Sequence, residues 1–203
     1  MGLVFKPLAF SSVVITKAPP PSVTRQQSDL FNGEAIGFED KAKGLKTSPI
    51  YFRGFGECNS HSSINYMPNM EKLEIAEHSS RNAFKNSGLS VKDIDLAMLY
   101  DSFTITVLMT LEAIGFCQYG EGKEFVKNQR TAPGGDFALN TNGGGLSYCH
   151  PGMYGIFTVI EASRQLWGLC EKRQLANPKV ALCHGTGGVL SSSTTLLLSN
   201  ERE

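Results

Sequence analysis

The sequence predicts a layered α/β domain in which helices cover a mixed β-sheet. Segments with strand character alternate with segments of helical period along residues 48–203, which is the pattern of an α/β fold. Two apolar runs close the chain and predict an antiparallel hairpin, so the sheet would be mixed. The 203 residues, of which 41% are hydrophobic, suffice for one such core.

Residues 1–47 differ from the rest, and we expect them to form an N-terminal arm or linker. Three consecutive prolines begin at Pro19, and a polar run over residues 22–29 follows them; both features favour extended, loosely packed chain. Within this region, the β-branched run Val13–Thr16 predicts one short strand. The sequence therefore predicts a single domain over residues 48–203.

The first half of this domain predicts two strands and two helices. Ile50–Phe55 is β-branched and aromatic, which favours a strand. Apolar residues at helical spacing follow Asn69, a good N-cap, and stop at Gly88, a good C-terminal residue. The elements predicted next are a capping-box turn at Ser90–Asp93, a strand at Ile94–Tyr100 and a helix at Thr104–Ile114 that ends at Gly115.

The second half predicts a loop, one long helix and the closing strands. Gln118–Asp136 is charged and contains glycine, which is typical of a loop, and Tyr154–Leu169 has the spacing of an amphipathic helix. We expect the last strands at Val180–Cys183 and Val189–Leu198, with the glycine-rich stretch 184–188 as their hinge. The predicted apolar face of the long helix comprises Ile156, Val159, Ile160, Ser163 and Trp167.

Composition argues against several classes of function. Nineteen basic residues balance nineteen acidic residues, so no net positive field predicts binding to nucleic acid or to an anionic membrane. The apolar runs are too short to span a bilayer, and the first residues lack the pattern of a signal peptide. Five cysteines without regular spacing favour reduced thiols and a cytoplasmic protein.

The first candidate for chemistry is His150, which lies in a stretch rich in glycine and proline. The helix predicted from Tyr154 places this imidazole near a helix N-terminus, and the positive end of a helix disfavours imidazolium. A neutral imidazole in a turn can act as a general base. A histidine that only hydrogen-bonds its own turn fits these residues equally well.

Two further stretches place polar groups at predicted junctions. Cys183 and His184 stand beside glycines whose amides could stabilise a developing negative charge, although an ordinary hairpin with a buried cysteine explains the same pattern. Tyr100, Asp101 and Ser102 follow a predicted strand, where α/β domains often carry sites. Aspartate and serine are also preferred helix caps, so a purely structural interpretation remains open.

A metal site is the other chemistry to weigh. Cys149–His150 and Cys183–His184 together offer two thiols and two imidazoles, the ligand count of a structural zinc site. Adjacent residues on extended chain point in opposite directions, so these four side chains would hardly converge on one ion. No Cys-x-x-Cys spacing supports the idea, and we expect no metal.

In their order along the chain, these stretches resemble the C-terminal half of the thiolase superfamily. The resemblance covers about residues 48–200 and is nearest to the sterol-carrier-protein-type and archaeal or bacterial thiolase-like acetyl-CoA acetyltransferases. Its most specific segment, residues 140–152, is similar to the Gly-His-Pro block of the family. Cys183–Gly188 is similar to the last catalytic block, and Tyr100–Phe103 to the Asn-Glu-Ala-Phe or His-Asp-Cys-Phe block. The resemblance implies a layered α-β-α half domain with a mixed sheet.

The resemblance also implies an acyltransferase whose substrate is a coenzyme A thioester and which needs no separate cofactor. His150 would be the base that activates a cysteine nucleophile. The backbone near Gly185 would stabilise the thioester oxygen, and Tyr100, Asp101 and Ser102 would line the same place. The resemblance further implies a second acid/base in the last catalytic block.

Two neighbouring residues compete for the role of second acid/base. An ungapped match to Cys-x-Gly selects Cys183, whereas the sterol-carrier-type pattern selects His184, which we favour. Tyr100 stands where the family has asparagine or histidine, and Ser102 where the sterol-carrier type has cysteine. These departures favour a biosynthetic or specialised acyl transfer over degradative thiolysis.

The nucleophilic cysteine of thiolases lies in the N-terminal half of their fold. Residues 1–47 contain no cysteine. We therefore expect a thiolase N-terminal half to complete the site, and we expect the chain to associate either with such a half or with further copies in a homo-oligomer. The alternative hypothesis is an inactive thiolase-like protein that serves as a scaffold or as a partner-binding module.

Overall fold

The computed structural model describes residues 13–17, 34–38, 48–150 and 152–202, and its strands form one mixed sheet. The sheet has the order β2-β1-β3-β6-β5-β4, in which β4 and β5 are parallel and the other neighbours are antiparallel. The strands are β1 (Val13–Lys17), β2 (Glu34–Phe38), β3 (Ile50–Asn59), β4 (Leu96–Leu99), β5 (Val180–Gly187) and β6 (Ser192–Ser199).

Helices lie on both faces of this sheet, as the predicted layered α/β class requires. They are α1 (Glu74–Ser87), α2 (Thr104–Ile114), the single turn α3 (Gly122–Phe125) and α4 (Gly155–Leu166). Side chains alternate along β4: Leu96 and Met98 pack with Ala162 of α4, whereas Ala97 and Leu99 pack with α1 and α2. The three layers are therefore α1 and α2, the sheet, and α4. None of the described helices has both the length and the apolar character needed to cross a membrane.

Two segments of the predicted N-terminal arm belong to the sheet. The expected strand at Val13–Thr16 is confirmed as β1, which pairs with β2 on one side and with β3 on the other. The proline run from Pro19 and the polar run after it lie outside the described residues. The division into an arm and a domain stays a prediction.

Local signals fixed most helix ends. Gly88 ends α1 and Gly115 ends α2, both in the left-handed conformation, and the capping box at Ser90–Asp93 is present. The expected start of α1 after Asn69 was wrong, because the helix begins at Glu74. The Asn69 side chain instead accepts a hydrogen bond from the N–H of Glu71, which closes a turn before the helix.

The predicted hinge of the closing hairpin was also misplaced. Residues 184–187 continue β5 and pair with β6, so the turn is confined to Gly188–Ser191. The two strands and their antiparallel pairing are confirmed. Glycine has a low intrinsic preference for strands. Here the backbone pairing with β6 keeps Gly185 and Gly187 in the extended conformation.

The buried face of α4 differs from the predicted stripe. Ile156 is 43% exposed, whereas Glu161 and Gln165 are buried. Thr158, Ala162 and their neighbours face β4 and β5. The prediction holds for Val159, Ser163 and Trp167, which are buried or pack against the core, and was wrong for Ile156. It missed Glu161 and Gln165 because such side chains normally face solvent, whereas both find hydrogen-bond partners here.

Strand β3 and helix α1 approach each other unusually closely. A Cβ atom on Gly56 would lie 2.0 Å from the carbonyl oxygen of Ser79, and one on Gly54 would lie 2.2 Å from that of Ala83. Only glycine permits this contact between backbones. The close packing brings the side chain of Ser79 against strand β6.

Candidate active site

The three stretches that the sequence singled out meet at the carboxyl ends of β4 and β5. The N–H of Tyr100 donates to the carbonyl oxygen of His184 over 2.9 Å, and the Tyr100 hydroxyl lies 3.0 Å from Nε2 of His150. A Cβ added to Gly185 would lie 3.8 Å from Cα of Gly155, the first residue of α4. The parallel pairing of β4 with β5 thus brings distant parts of the chain together.

Tyr100 is the centre of this arrangement. Its side chain is buried, and its ring centre lies 5.7 Å from that of His150 and 5.5 Å from that of Tyr154. Burial raises the pKa of the Tyr154 phenol, which therefore stays neutral. The imidazole of His150 is exposed, and α4 begins five residues after it. The contact with Tyr100, rather than the helix, fixes the ring, because a helix terminus acts only over its first turn.

Asp101 holds the glycine loop that leads to His150. Its buried carboxylate accepts hydrogen bonds from the N–H groups of Gly145, at 2.7 Å, and Leu146, at 3.1 Å. Gly144 has a φ of +72°, and a Cβ there would lie 2.2 Å from the carboxylate. The interpretation of Asp101 as a helix cap is not supported, since Thr106 caps α2 through the N–H of Phe103.

Ser102 lies just before α2, and its described side-chain contact is with this helix and not with the glycine loop. Its hydroxyl lies 3.2 Å from that of Thr106, and the side chain is half-buried. The structure therefore brings Tyr100 and Asp101 to the loop of His150, while the Ser102 hydroxyl contacts Thr106 of α2. Its expected part in substrate binding stays a prediction.

Cys183 and His184 project to opposite faces of the sheet. The Cys183 thiol is buried against α4, where it donates to the carbonyl oxygen of Thr158 over 3.5 Å. Burial raises its pKa to about 12, so the thiol stays protonated near neutral pH. The His184 imidazole lies on the face that α1 covers, and its Nδ1 is 2.9 Å from the hydroxyl of Thr195.

The imidazole of His184 is fully buried, and Nε2 is among the described polar atoms that have no hydrogen-bond partner. Burial lowers the pKa of this imidazole to about 4, because charging it would cost its solvation. The ring is therefore neutral at physiological pH. It is a base whose free nitrogen lies inside the protein.

This pKa predicts a dependence of stability on pH. The unfolded chain takes up the His184 proton near pH 6.5 and the folded chain only near pH 4, so acidification favours unfolding across this range. We expect His184 to account for a loss of about 3 kcal/mol in the free energy of unfolding between these pH values. Urea unfolding from pH 7 to pH 4 should show a shallower decline in His184→Asn than in the wild type.

The matched control for this measurement is His78→Asn, because His78 is exposed on α1. The control should follow the wild-type curve. Parallel curves for the wild type and His184→Asn would contradict the assignment of the acid-sensitive step to His184.

The described cysteines differ in their readiness to react. Burial raises the pKa of Cys117 to about 11 and that of Cys170 to about 12, so both thiols stay protonated near neutral pH. Cys149 is half-buried and precedes His150 directly. In the described ranges, no group of three or more Cys, His, Asp or Glu side chains is placed to hold a metal ion.

An ion pair between a buried glutamate and an exposed arginine, which sequence reasoning missed, contacts the glycine loop through Thr141. Glu161 on α4 is 3% exposed and pairs with Arg173, with 3.2 Å between Oε2 and the guanidinium. Its other oxygen accepts a hydrogen bond from Thr141, 2.9 Å away. An acidic residue on an amphipathic helix normally marks the solvent face, so the pattern of α4 predicts an exposed Glu161.

An open cleft of about 910 Å³ adjoins the loop. Asp101 and Leu146 line it together with the 131–135 loop and the 172–176 segment. Neither His150 nor His184 contributes to its walls. Its volume lies in the range of small-molecule sites.

Comparison with known proteins identifies the fold. A family model described as "Thiolase C-terminal domain-like" matches residues 56–200.

The chain belongs to the thiolase superfamily.

Relatives agree with this assignment to a thiolase C-terminal half. An acetyl-CoA acetyltransferase of Methanothermobacter thermautotrophicus is 28% identical over 79% of this chain and 42% of its own length. Sterol carrier protein 2 of Homo sapiens is 36% identical over 58% of this chain and 22% of its own length. The chain thus spans less than half the length of these relatives.

A solved structure also superposes well on this chain. The "Ltp2-ChsH2(DUF35) aldolase" shares 26% identity and a TM-score of 0.74, covering 84% of this chain and 44% of that one. The predicted layered fold and the predicted superfamily are confirmed. The catalytic roles expected of individual residues stay predictions.

Proposed function

We propose that this chain forms the C-terminal half of a thiolase-like acyl-CoA acyltransferase site. The observation that carries the proposal is the contact between Tyr100 and His150, next to the hydrogen bond from Tyr100 to His184. It joins the three stretches that carry the resemblance, and the family assignment supports an acyl-CoA substrate. A coenzyme A thioester would be the substrate, without a separate cofactor.

In this proposal His150 is the base that takes the proton from a cysteine thiol. The thiolate then attacks the thioester carbonyl, the bond to the sulfur of coenzyme A breaks, and an acyl-enzyme forms. In this proposal the Tyr100 hydroxyl, which lies beside His150, and the backbone at Gly185 donate hydrogen bonds to the developing oxyanion. The mouth of the cleft at Asp101 and Leu146 supplies adjacent space for the acyl group.

Between the two candidates for the second acid/base, the side-chain environments favour His184. The Cys183 thiol is held protonated and already donates to a carbonyl oxygen. The imidazole of His184 is neutral and keeps one nitrogen without a partner. A neutral imidazole with a free lone pair is the better proton acceptor.

The nucleophile is proposed to come from a thiolase N-terminal half, either as a separate polypeptide or as a further part of a longer chain. Three of the described cysteines support this, since burial raises the pKa values of the thiols of Cys117, Cys170 and Cys183. Exposed apolar side chains surround the loop and would be covered by such a partner; they are Phe103, Ile105, Leu146, Tyr148 and Met153.

A reconstitution experiment tests the proposal. We expect the purified 203-residue chain to release no coenzyme A from acetyl-CoA, because in this proposal the nucleophile comes from the N-terminal half. Co-expression with a thiolase N-terminal half should yield a complex that transfers the acetyl group, and the same half with its cysteine changed to alanine should not. Turnover by the chain alone, lost in Cys149→Ser, would contradict the proposal and assign the nucleophile to Cys149.

A second candidate function is cleavage of a carbon–carbon bond in a β-hydroxyacyl-CoA. The pairing of the Tyr100 hydroxyl with His150 favours it, because a phenol and an imidazole can remove a hydroxyl proton without any thiol. The similarity to a solved aldolase supports the same possibility. Release of an aldehyde or a ketone that persists after alkylation of the thiols with iodoacetamide would select this function.

A further inference from the structure

Four buried side chains form a continuous hydrogen-bonded chain between α1 and β5. The hydroxyl of Ser79 lies 2.7 Å from that of Ser193 and 2.9 Å from that of Thr195. Thr195 in turn lies 2.9 Å from Nδ1 of His184. All four residues are at most 2% exposed, so water does not compete for these contacts.

The direction of these hydrogen bonds follows from the number of hydrogens that each hydroxyl has. Ser79 donates its one hydrogen to the carbonyl oxygen of Ala76 at 3.2 Å, as helical serines commonly do. Its two lone pairs are then available for Ser193 and Thr195, which must donate to it. Because the Thr195 hydroxyl donates its one hydrogen to Ser79, its oxygen can only accept a hydrogen bond from His184. Nδ1 of His184 must therefore carry a proton.

We propose that Ser79 and Thr195 are positioning residues that hold His184 in the tautomer with its proton on Nδ1 and a bare lone pair on Nε2. The catalytic meaning of this tautomer rests on the proposed function, in which His184 accepts a proton. In that role the hydroxyl chain fixes which nitrogen is the base before any substrate binds. The tautomer itself is a property of the chain alone.

The unpartnered nitrogen supports this direction. Were the proton on Nε2, a buried N–H would have no acceptor, and orphaned buried N–H groups are rarer than under-satisfied acceptors. The opposite tautomer would also need Ser79 to give up its bond to Ala76. Burial keeps the ring neutral, so only one nitrogen carries a proton near pH 7.

The test is long-range ¹H–¹⁵N correlation NMR on the full chain labelled with ¹⁵N in its histidines. The signals of His184 are those that disappear in His184→Asn. We expect a protonated Nδ1 and a bare Nε2 in the wild type near pH 7. A protonated Nε2 in the wild type would overturn the proposal.

Variants separate the hydroxyl chain from packing. Ser79→Ala removes the acceptor of Thr195, whose hydroxyl is then free to donate to Nδ1, so the proton should move toward Nε2. Ser80→Ala is the matched control, since the Ser80 hydroxyl donates only within α1, to Glu77 at 3.1 Å. Identical His184 spectra for these two variants would overturn the proposal.

Conservative exchange at Thr195 gives a second, independent comparison. Thr195→Val removes the hydroxyl at nearly constant shape and should abolish the preference for one tautomer, whereas Thr195→Ser should restore it. Thr194→Val, one residue along β6, controls for the loss of a threonine. If Thr195→Ser and Thr195→Val gave the same tautomer, the role assigned to the hydroxyl would be wrong.

These measurements need no activity, so the two proposals fail separately. An Nδ1–H tautomer in a chain that no N-terminal half activates would uphold the positioning role and reject the acyltransferase. An active complex whose His184 carries the proton on Nε2 would uphold the acyltransferase and reject the positioning role.

Discussion

Replacement of His150 with asparagine is expected to lower kcat/KM for acetyl transfer in the assembled enzyme by about 10²–10⁴-fold, the range of general-base catalysis. Asparagine cannot accept the thiol proton, and the nucleophile would remain a neutral thiol. The measurement is steady-state release of coenzyme A by the co-expressed complex. The variant should fold normally, because the imidazole is exposed and the Tyr100 hydroxyl is its described hydrogen-bond partner.

Two comparisons make this result specific. His78→Asn is the same exchange at an exposed histidine on α1, and it should leave turnover unchanged. Single-turnover kinetics should show that His150→Asn slows formation of the acyl-enzyme rather than binding of acetyl-CoA. A His150→Asn complex with wild-type turnover would remove His150 from the catalytic role.

Gly144→Ala is expected to destabilise the chain by roughly 2–5 kcal/mol and to abolish activity in the complex. The new Cβ would lie 2.2 Å from the Asp101 carboxylate, and alanine would also be strained at a φ of +72°. Asp101 would have to move, which would release the N–H groups of Gly145 and Leu146. The loop that carries His150 would lose its anchor.

The matched control is Gly134→Ala. Gly134 has a similar φ of +84°, but a Cβ there meets no atom within 4 Å. Backbone strain alone should therefore lower the free energy of unfolding of this variant, by about 1–2 kcal/mol. Urea unfolding of both variants measures the difference, which reports the collision with Asp101. Equal destabilisation of the two variants would show that the contact between Gly144 and Asp101 does not anchor the loop.

Local chemistry explains what sequence reasoning found in the fold. Glycine ends helices because it adopts the left-handed conformation, so Gly88 and Gly115 marked the ends of α1 and α2. The helix at Thr104–Ile114 was confirmed over its full length. The β-branched run at Ile50 marked β3. Each of these signals lies within a few residues of the element that it defines.

Partners far away in the sequence explain what was missed. Glu161 is buried because Arg173 and Thr141 satisfy its carboxylate. The residue pattern of α4 does not predict these two partners. The glycines after His184 stay extended because β6 pairs with them. In both places a long-range contact outweighed the local preference.

The sequence by itself determined the fold class, most strands and helices of residues 48–203, the superfamily and the three stretches with candidate catalytic groups, because these depend on residue types and short spacings. Only the tertiary structure decided that the Tyr100 hydroxyl meets His150, that Asp101 anchors the glycine loop and that Cys183 and His184 face opposite layers. The parallel pairing of β4 with β5 is the physical reason, since it joins segments more than 80 residues apart and sets the side on which each side chain emerges.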